Sequence, residues 1–235
     1  MFILGVLYTK IEYVSAPGSE GDYSKWLGPD WKPEWENPGA VIMNHTCFID
    51  ILFGMVVFFP SFVSKKSVKA YPFVGNIATA LDCVFLERAG TKEEKIKVAK
   101  QLEERQAENE RSGKPPILVF PEGATTNNKS LIKFKRGAFS GLSSVQPVCA
   151  KYWSLNGISP QNDTLLQNHY YYQLLSLGTT IDLKVYPVFK PNEYFWKHHF
   201  DEKKGLAKWE VYAQVVREHI MRPSFDFALA DISME

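Results

Sequence analysis

Val41-Ile42-Met43-Asn44-His45-Thr46-Cys47-Phe48-Ile49-Asp50 places three apolar residues before a polar turn, and a second apolar run follows as far as Phe59. The first three read as a short strand buried on both faces, and the run after the turn reads as a helix with Asp50 in its first turns. The same strand-then-turn pattern returns at Val84 to Leu86, Ile117 to Phe120, Val145 to Cys149 and Lys184 to Phe189. Helical stretches lie between them. The clearest is Thr91 to Arg111, where Thr91 and Glu94 have capping-box spacing, Ile96, Ala99 and Leu102 form an apolar stripe, and Gly113 and Pro115 end the helix. Others are expected from Asn162 or Asp163 to Leu177 and from Leu206 to Met221, before Pro223. Ser15 to Pro38, rich in Pro, Gly and Trp, reads as a structured loop that packs aromatics. This alternation predicts the α/β class: one domain over residues 1–235, with a largely parallel central sheet flanked by helices.

The chain has 235 residues, of which 45% are apolar, enough for a sizeable core and against a disordered chain. With 27 Lys and Arg against 26 Asp and Glu, the net charge of +1 supplies no global field of the kind nucleic-acid binders use, so no nucleic-acid partner is expected. Cys47, Cys83 and Cys149 are widely spaced without a CxxC pair, which indicates neither a disulfide framework nor a zinc site and fits a reducing compartment. No apolar run reaches the roughly 20 residues that span a bilayer, and no targeting segment is readable. The sequons at Asn44, Asn128 and Asn162 are read as chance matches.

GxGxxG, Walker, GxSxG and HExxH signatures are all absent, which removes the simplest dinucleotide, nucleoside triphosphate, serine hydrolase and zincin readings. His45 and Asp50 remain. On an ideal helix a five-residue separation sets side chains about 140° apart, so the two meet only if His45 lies in the turn. There the carboxylate fixes the imidazole tautomer and leaves the other nitrogen as a base; the alternative is a capping Asp beside a packed His. Phe120-Pro121-Glu122-Gly123-Ala124-Thr125-Thr126-Asn127 also follows a strand end, where open α/β sheets place ligands. Glu122 can brace the first loop or meet substrate, Gly123 permits close backbone approach, and the Thr125 and Thr126 hydroxyls can donate to an oxyanion or phosphate. Arg88, after the strand Val84 to Leu86, suits a phosphate or pairs with Glu87 or Glu93. Lys129, Lys133, Lys135 and Arg136 form a basic stretch that faces phosphates or only solvent.

In this order the elements resemble the glycerolipid acyltransferase family, and most nearly its lysophosphatidylcholine and lysophosphatidylethanolamine branch. Asn44 to Asp50 is similar to that family's first block (NHxxxxD), Val84 to Arg88 to its second, Phe120 to Asn127 to its third (FPEGTTTN) and Val145-Gln146-Pro147-Val148 to its fourth. Tyr71 to Gly75 and Leu131 to Phe139 are similar to flanking stretches, and the likeness runs from about Ala40 to Asn192. Ala124 stands where the family usually has Thr, and Glu87 where a shorter residue is common.

The resemblance implies that His45, oriented by Asp50, takes a proton from a lysophospholipid hydroxyl, and that the alkoxide attacks the thioester of acyl-CoA. Arg88 and the Glu122-Gly123 loop, with Thr125, would bind the acceptor's phosphate and glycerol, and a loop at Pro147 would lie near the acyl donor. No metal or redox cofactor follows; acyl-CoA is a co-substrate. The implied partners are acyl-CoA, a lysophospholipid and a membrane surface. Localisation is then peripheral or monotopic, on the reducing side of the endoplasmic reticulum or mitochondrion. The alternative function is an acyltransferase-like, lipid-binding structural subunit of a larger membrane protein complex. Expected membrane contacts are Met1 to Leu7, Phe58, Phe59, Lys65, Lys66 and Lys69, with Ile51 to Val57 assigned to the core.

Overall fold

The computed structural model describes residues 6–47, 49–70, 74–86, 91–155 and 178–232. Its strands there are β1 (Val6–Tyr13), β2 (Ala40–Met43), β3 (Ser61–Lys65), β4 (Val84–Leu86), β5 (Ile117–Val119), β6 (Ser130–Ile132), β7 (Val145–Trp153), β8 (Thr179–Val185) and β9 (Ala228–Ala230). Seven of them form one sheet in the order β1-β8-β7-β2-β5-β3-β4. Neighbours are parallel except β7 and β8, so the expected largely parallel α/β sheet is present. Strands β6 and β9 form a separate parallel pair.

The described helices are α1 (Ser24–Leu27), α2 (Ile49–Phe58), α3 (Val74–Ala80), α4 (Lys92–Ser112), α5 (Glu193–His199) and α6 (Lys208–Val215). Beyond α6 the helix widens into a π-helical stretch over Val216–Met221, so the stretch expected from Leu206 to Met221 is helical over most of its length. The helix expected from Asn162 or Asp163 to Leu177 lies outside the described residues, as does Arg88.

Side chains alternate across the sheet because successive strand residues point to opposite faces. Val41, Met43, Leu118, Val148 and Ala150 pack on one side with Ile49 and Phe53 of α2. On the other side, Ile42 and Cys149 meet Tyr186, Phe189, Tyr212 and Val216. Trp26 and Trp31 from the long N-terminal loop also pack against this second cluster, as that loop's aromatic content implied. Gly54 brings α2 close to the sheet, for a Cβ there would lie 2.4 Å from Cδ2 of Leu118.

Three elements depart from expectation. Strand β8 starts at Thr179 and ends at Val185, because its T-T-I-D-L-K-V alternation buries every second residue and Pro187 lacks the N–H that would continue the ladder. On α4, Ile96 is 60% exposed, whereas Leu102, Gln106 and Asn109 turn inward. Gln106 donates to the Ala138 carbonyl at 3.2 Å and Asn109 to the Gly39 carbonyl at 3.2 Å, so amides rather than an apolar stripe seat this part of the helix. Val6 and Leu7 belong to β1, an edge strand in register with β8, while residues 1–5 lie outside the description.

Replacing Gly54 with Val should push α2 off β5 and lower the unfolding free energy by about 1–3 kcal/mol. Urea denaturation checks this, and an unchanged midpoint would show that Leu118 repacks freely.

Candidate active site

Parallel strands deliver their following loops to one sheet edge, and β2 and β5 are adjacent. The loop of residues 44–47 therefore lies beside the loop of residues 120–127. Thr126 N–H donates to the His45 carbonyl at 2.7 Å, and the Thr126 hydroxyl reaches the same oxygen at 3.3 Å. In return, His45 N–H donates to Glu122 Oε1 at 3.0 Å. The Asn44 side chain ties the first loop to β7: Oδ1 accepts from Ala150 N–H at 2.7 Å and Nδ2 donates to the Ala150 carbonyl at 3.0 Å.

His45 precedes α2, in the turn, and its Nδ1 lies 2.8 Å from Asp50 Oδ2. Asp50 is fully buried. Its Oδ2 also accepts from Thr46 N–H at 2.6 Å and Cys47 N–H at 2.9 Å, and its Oδ1 accepts from the Tyr152 hydroxyl. Capping and orienting are thus not alternatives here, since one carboxylate does both. A carboxylate held by three other donors remains an acceptor, so the proton between it and Nδ1 sits on the ring and Nε2 keeps its lone pair. Among the described residues no group hydrogen-bonds Nε2, and the ring is 17% exposed. The Phe120 ring stacks on the imidazole at 3.9 Å between centroids and 16° between planes, fixing its tilt.

Glu122 is the second buried carboxyl. Its Oε2 accepts from Ile132 N–H at 3.1 Å, so one side chain links the base loop, its own loop and β6. Burial pushes its pKa up to about 7, outweighing the opposing pull of those two amides, and the Asp50 charge pushes the same way. Arg217 favours the ionised form: it is buried, and its Nη2 donates to the carbonyls of Leu131 at 3.0 Å and Ala230 at 2.9 Å. Gly123 has φ +68°, a conformation that favours glycine, while a Cβ on it would meet only the flexible end of the Lys135 side chain, 2.9 Å away. Thr125 is half-buried in the same loop. Pro147 does not lie in a loop. It is buried within β7, opposite Ile42, and its carbonyl accepts from Tyr186 N–H at 3.0 Å, because β7 starts at Val145, two residues before it, and runs on to Trp153.

Tyr152 and Arg217 are site residues that the sequence reading missed. Tyr152 shares the alternation Val148, Ala150, Tyr152 that faces Cys47 and Ile49, a signal readable only once β7 is known to reach residue 152. Burial holds its phenol well above the usual range, so it stays a donor. Burial likewise raises the Cys47 thiol, with the Asp50 charge pushing the same way, so it stays a neutral thiol. Among the described residues no cluster of His, Cys, Asp and Glu suits a metal ion.

A family model described as Acyltransferase matches residues 9–150, a span that holds both loops and Asp50. A lysophospholipid acyltransferase from Arabidopsis thaliana is 36% identical over 203 residues, covering 86% of this chain and 48% of that protein. Lysophosphatidylcholine acyltransferase 2 from Mus musculus is 32% identical over 166 residues, 67% of this chain and 29% of that one. The chain thus spans about half the length of the first and less than a third of the second. The crystal structure of the 1-acyl-sn-glycerophosphate acyltransferase PlsC from Thermotoga maritima superposes with a TM-score of 0.52 and 20% identity, over 92% of this chain and 70% of that one, a likeness of fold.

Replacing Tyr152 with Phe leaves Asp50 Oδ1 without that donor in a buried site and should cost about 1–3 kcal/mol of stability. Equal urea midpoints for the two proteins would deny the bond. Glu122 carries a pH signature. Its folded pKa of about 7 lies above its ordinary 4.5, so its contribution to stability is complete below about pH 4.5 and fades as pH rises through 7. The wild-type protein, measured against Glu122→Gln by urea denaturation, should lose relative stability across that window; a gain would contradict it.

Proposed function

This chain belongs to the acyltransferase family, and from that premise we propose that it transfers a fatty acyl group from acyl-CoA to the hydroxyl of a lysophospholipid at a membrane surface. The names of the relatives support the acceptor class, and one observation carries the chemistry: buried Asp50 Oδ2 lies 2.8 Å from His45 Nδ1 while it accepts from two loop amides, an arrangement suited to a ring proton on Nδ1 that leaves Nε2 to face the acceptor.

Nε2 takes the proton of the acceptor hydroxyl as its oxygen attacks the thioester carbonyl. Asp50 stabilises the imidazolium that forms, and its anchored position spares the pair any rearrangement. Collapse of the tetrahedral intermediate breaks the C–S bond and expels CoA thiolate, a good leaving group that takes up the proton held by His45. The reaction needs no metal or redox group. Glu122 acts through the His45 backbone, holding the base against the loop of residues 120–127, and we assign the acceptor's phosphate and glycerol to Arg88, Gly123 and Thr125. Among the described residues no helix is long and apolar enough to cross a membrane. A purely structural lipid-binding subunit would have no use for an oriented imidazole.

With acyl-CoA and a panel of lysophosphatidylcholine, lysophosphatidylethanolamine and glycerol 3-phosphate, release of CoA thiol should be fastest with a lysophospholipid. His45→Ala should lower that rate by about 10²- to 10⁴-fold while leaving the melting temperature nearly unchanged. Asp50→Asn should be comparably slow, because an amide holds the wrong tautomer. Activity retained in His45→Ala would overturn the mechanism.

A further inference from the structure

Large apolar side chains stand in water on both α2 and β1. On α2, Ile51 is 37% exposed and Val56 is 74% exposed, which corrects their expected place in the core, while Phe58 packs against the core cluster it was expected to leave. On β1 the exposure comes with unmet backbone groups. Among the described strands β1 ends the sheet and pairs with β8 alone. The N–H and C=O groups of successive strand residues point to opposite sides within the sheet, and Val14 N–H, just beyond β1, donates to the Val185 carbonyl at 2.9 Å. Lys10 and Glu12 therefore address β8 with their backbone groups. Those of Thr9, Ile11 and Tyr13 turn outward, where among the described residues none meets a partner. The core face also stops one strand early: Leu183 and Val185 are buried, yet Ile11 and Tyr13, level with them on β1, are 42% and 63% exposed. Edges of this kind are usually blunted by a proline, a short strand or an unpaired lysine. Strand β1 has eight residues and no proline, and Lys10 Nζ is held by Glu12 at 3.1 Å.

Charge decides what fits this edge. Lys10 stands opposite Asp182 and Glu12 opposite Lys184, so the sign already alternates from β8 to β1. An added strand continues the alternation only if it sets a carboxylate beside Lys10 and an ammonium beside Glu12. Strand β1 itself does so when a second copy runs antiparallel to it. A self-pair that joins outward groups to outward groups must oppose Thr9, Ile11 and Tyr13 among themselves, which leaves few registers. With Ile11 opposite Ile11, Lys10 faces Glu12 of the second copy, Thr9 faces its Tyr13, and symmetry repeats both contacts. Moving the axis by one residue sets Lys10 on Lys10 or Glu12 on Glu12, and moving it further leaves both charges without an opposite partner. We propose that β1 is a homodimer interface, in which two copies join antiparallel about a two-fold axis at Ile11 and their seven-stranded sheets become one. The apolar face missing at the edge is then supplied by the same residues of the other copy. A foreign strand would have to carry this inverted pair of charges, which β1 has already. Nothing in the inference rests on the proposed activity.

The test is sedimentation equilibrium of the full chain over a range of protein concentrations, where the wild-type chain should dimerise. Lys10→Glu sets carboxylates against carboxylates across the pair, and Glu12→Lys sets ammonium groups against ammonium groups. Each should raise the dimer dissociation constant by about tenfold or more. An equimolar mixture of the two variants should dimerise again, because each then meets the opposite charge; a general loss of stability would not recover on mixing. Ile11→Cys in the otherwise unchanged chain should cross-link to a covalent dimer under mild oxidation, since directly opposed strand residues lie about 5.5 Å apart between Cα atoms. Tyr8→Cys should not, because its two copies would lie about 20 Å apart along the strands. Cys47, Cys83 and Cys149 are buried and leave this comparison clean. A wild-type chain that stays monomeric would overturn the inference, as would a mixture of folded variants no more associated than its parts, or equal cross-linking at the two positions. Where a charge variant does not fold, the comparison of Ile11→Cys with Tyr8→Cys decides.

Discussion

A buried carboxylate that meets four donors is the constraint on which the site depends. Asp50 has no contact with water, and an unpaired charge in that position would destabilise the fold by several kcal/mol. The chain meets this demand with two amides of its own loop, a phenol from β7 and the imidazole. Each donor fixes something else in turn. The amides set where α2 begins, the phenol fixes how β7 sits against that helix, and the imidazole acquires its tautomer. Stability and chemistry therefore draw on the same atom group, and its loss would be felt in both.

Glu122 answers a similar demand differently. Its two oxygens meet one amide each, from His45 and Ile132, and Arg217, which donates to the Leu131 carbonyl of β6, adds a favourable positive charge. Two acids thus sit close together below one edge of the sheet, one saturated and one only partly compensated. The second is the softer point of the site, since its burial disfavours the charge and only two amides and Arg217 oppose that effect.

Elements that depend on neighbours in the chain were legible in the sequence; those that depend on distant pairing were not. Val41 to Met43 and Ile117 to Phe120 announce themselves because both faces of central parallel strands are apolar, Val84 to Leu86 is a wholly apolar run although β4 is an edge strand, and the His45 and Asp50 spacing already required His45 to lie in the turn. Strand β1 was hidden because V-L-Y-T-K-I-E-Y leaves Tyr8, Ile11 and Tyr13 partly in water at a sheet edge, and β3 because S-F-V-S-K mixes polar with apolar residues. The Asn44 clamp on Ala150 and the Tyr152 bond to Asp50 span 106 and 102 residues, and no local pattern encodes the register between β2 and β7. Arg217 lies between buried Val216 and Ile220, in a helix whose periodicity gives no hint that a charge turns inward.

The strand order also governs when the site can exist during synthesis. Strand β2 lies between β5 and β7, and β1 pairs with β8, which is made long after it. A chain emerging in order therefore presents β1 and β2 long before their partners, and the His45 loop waits for β7 before Asn44 and Asp50 find their donors. Contacts of such long range form slowly, and unpaired strand edges invite association between chains in the interval. His45 and Asp50 adjoin in the sequence, yet their arrangement is complete only once β7, with Tyr152 102 residues beyond Asp50, has been translated.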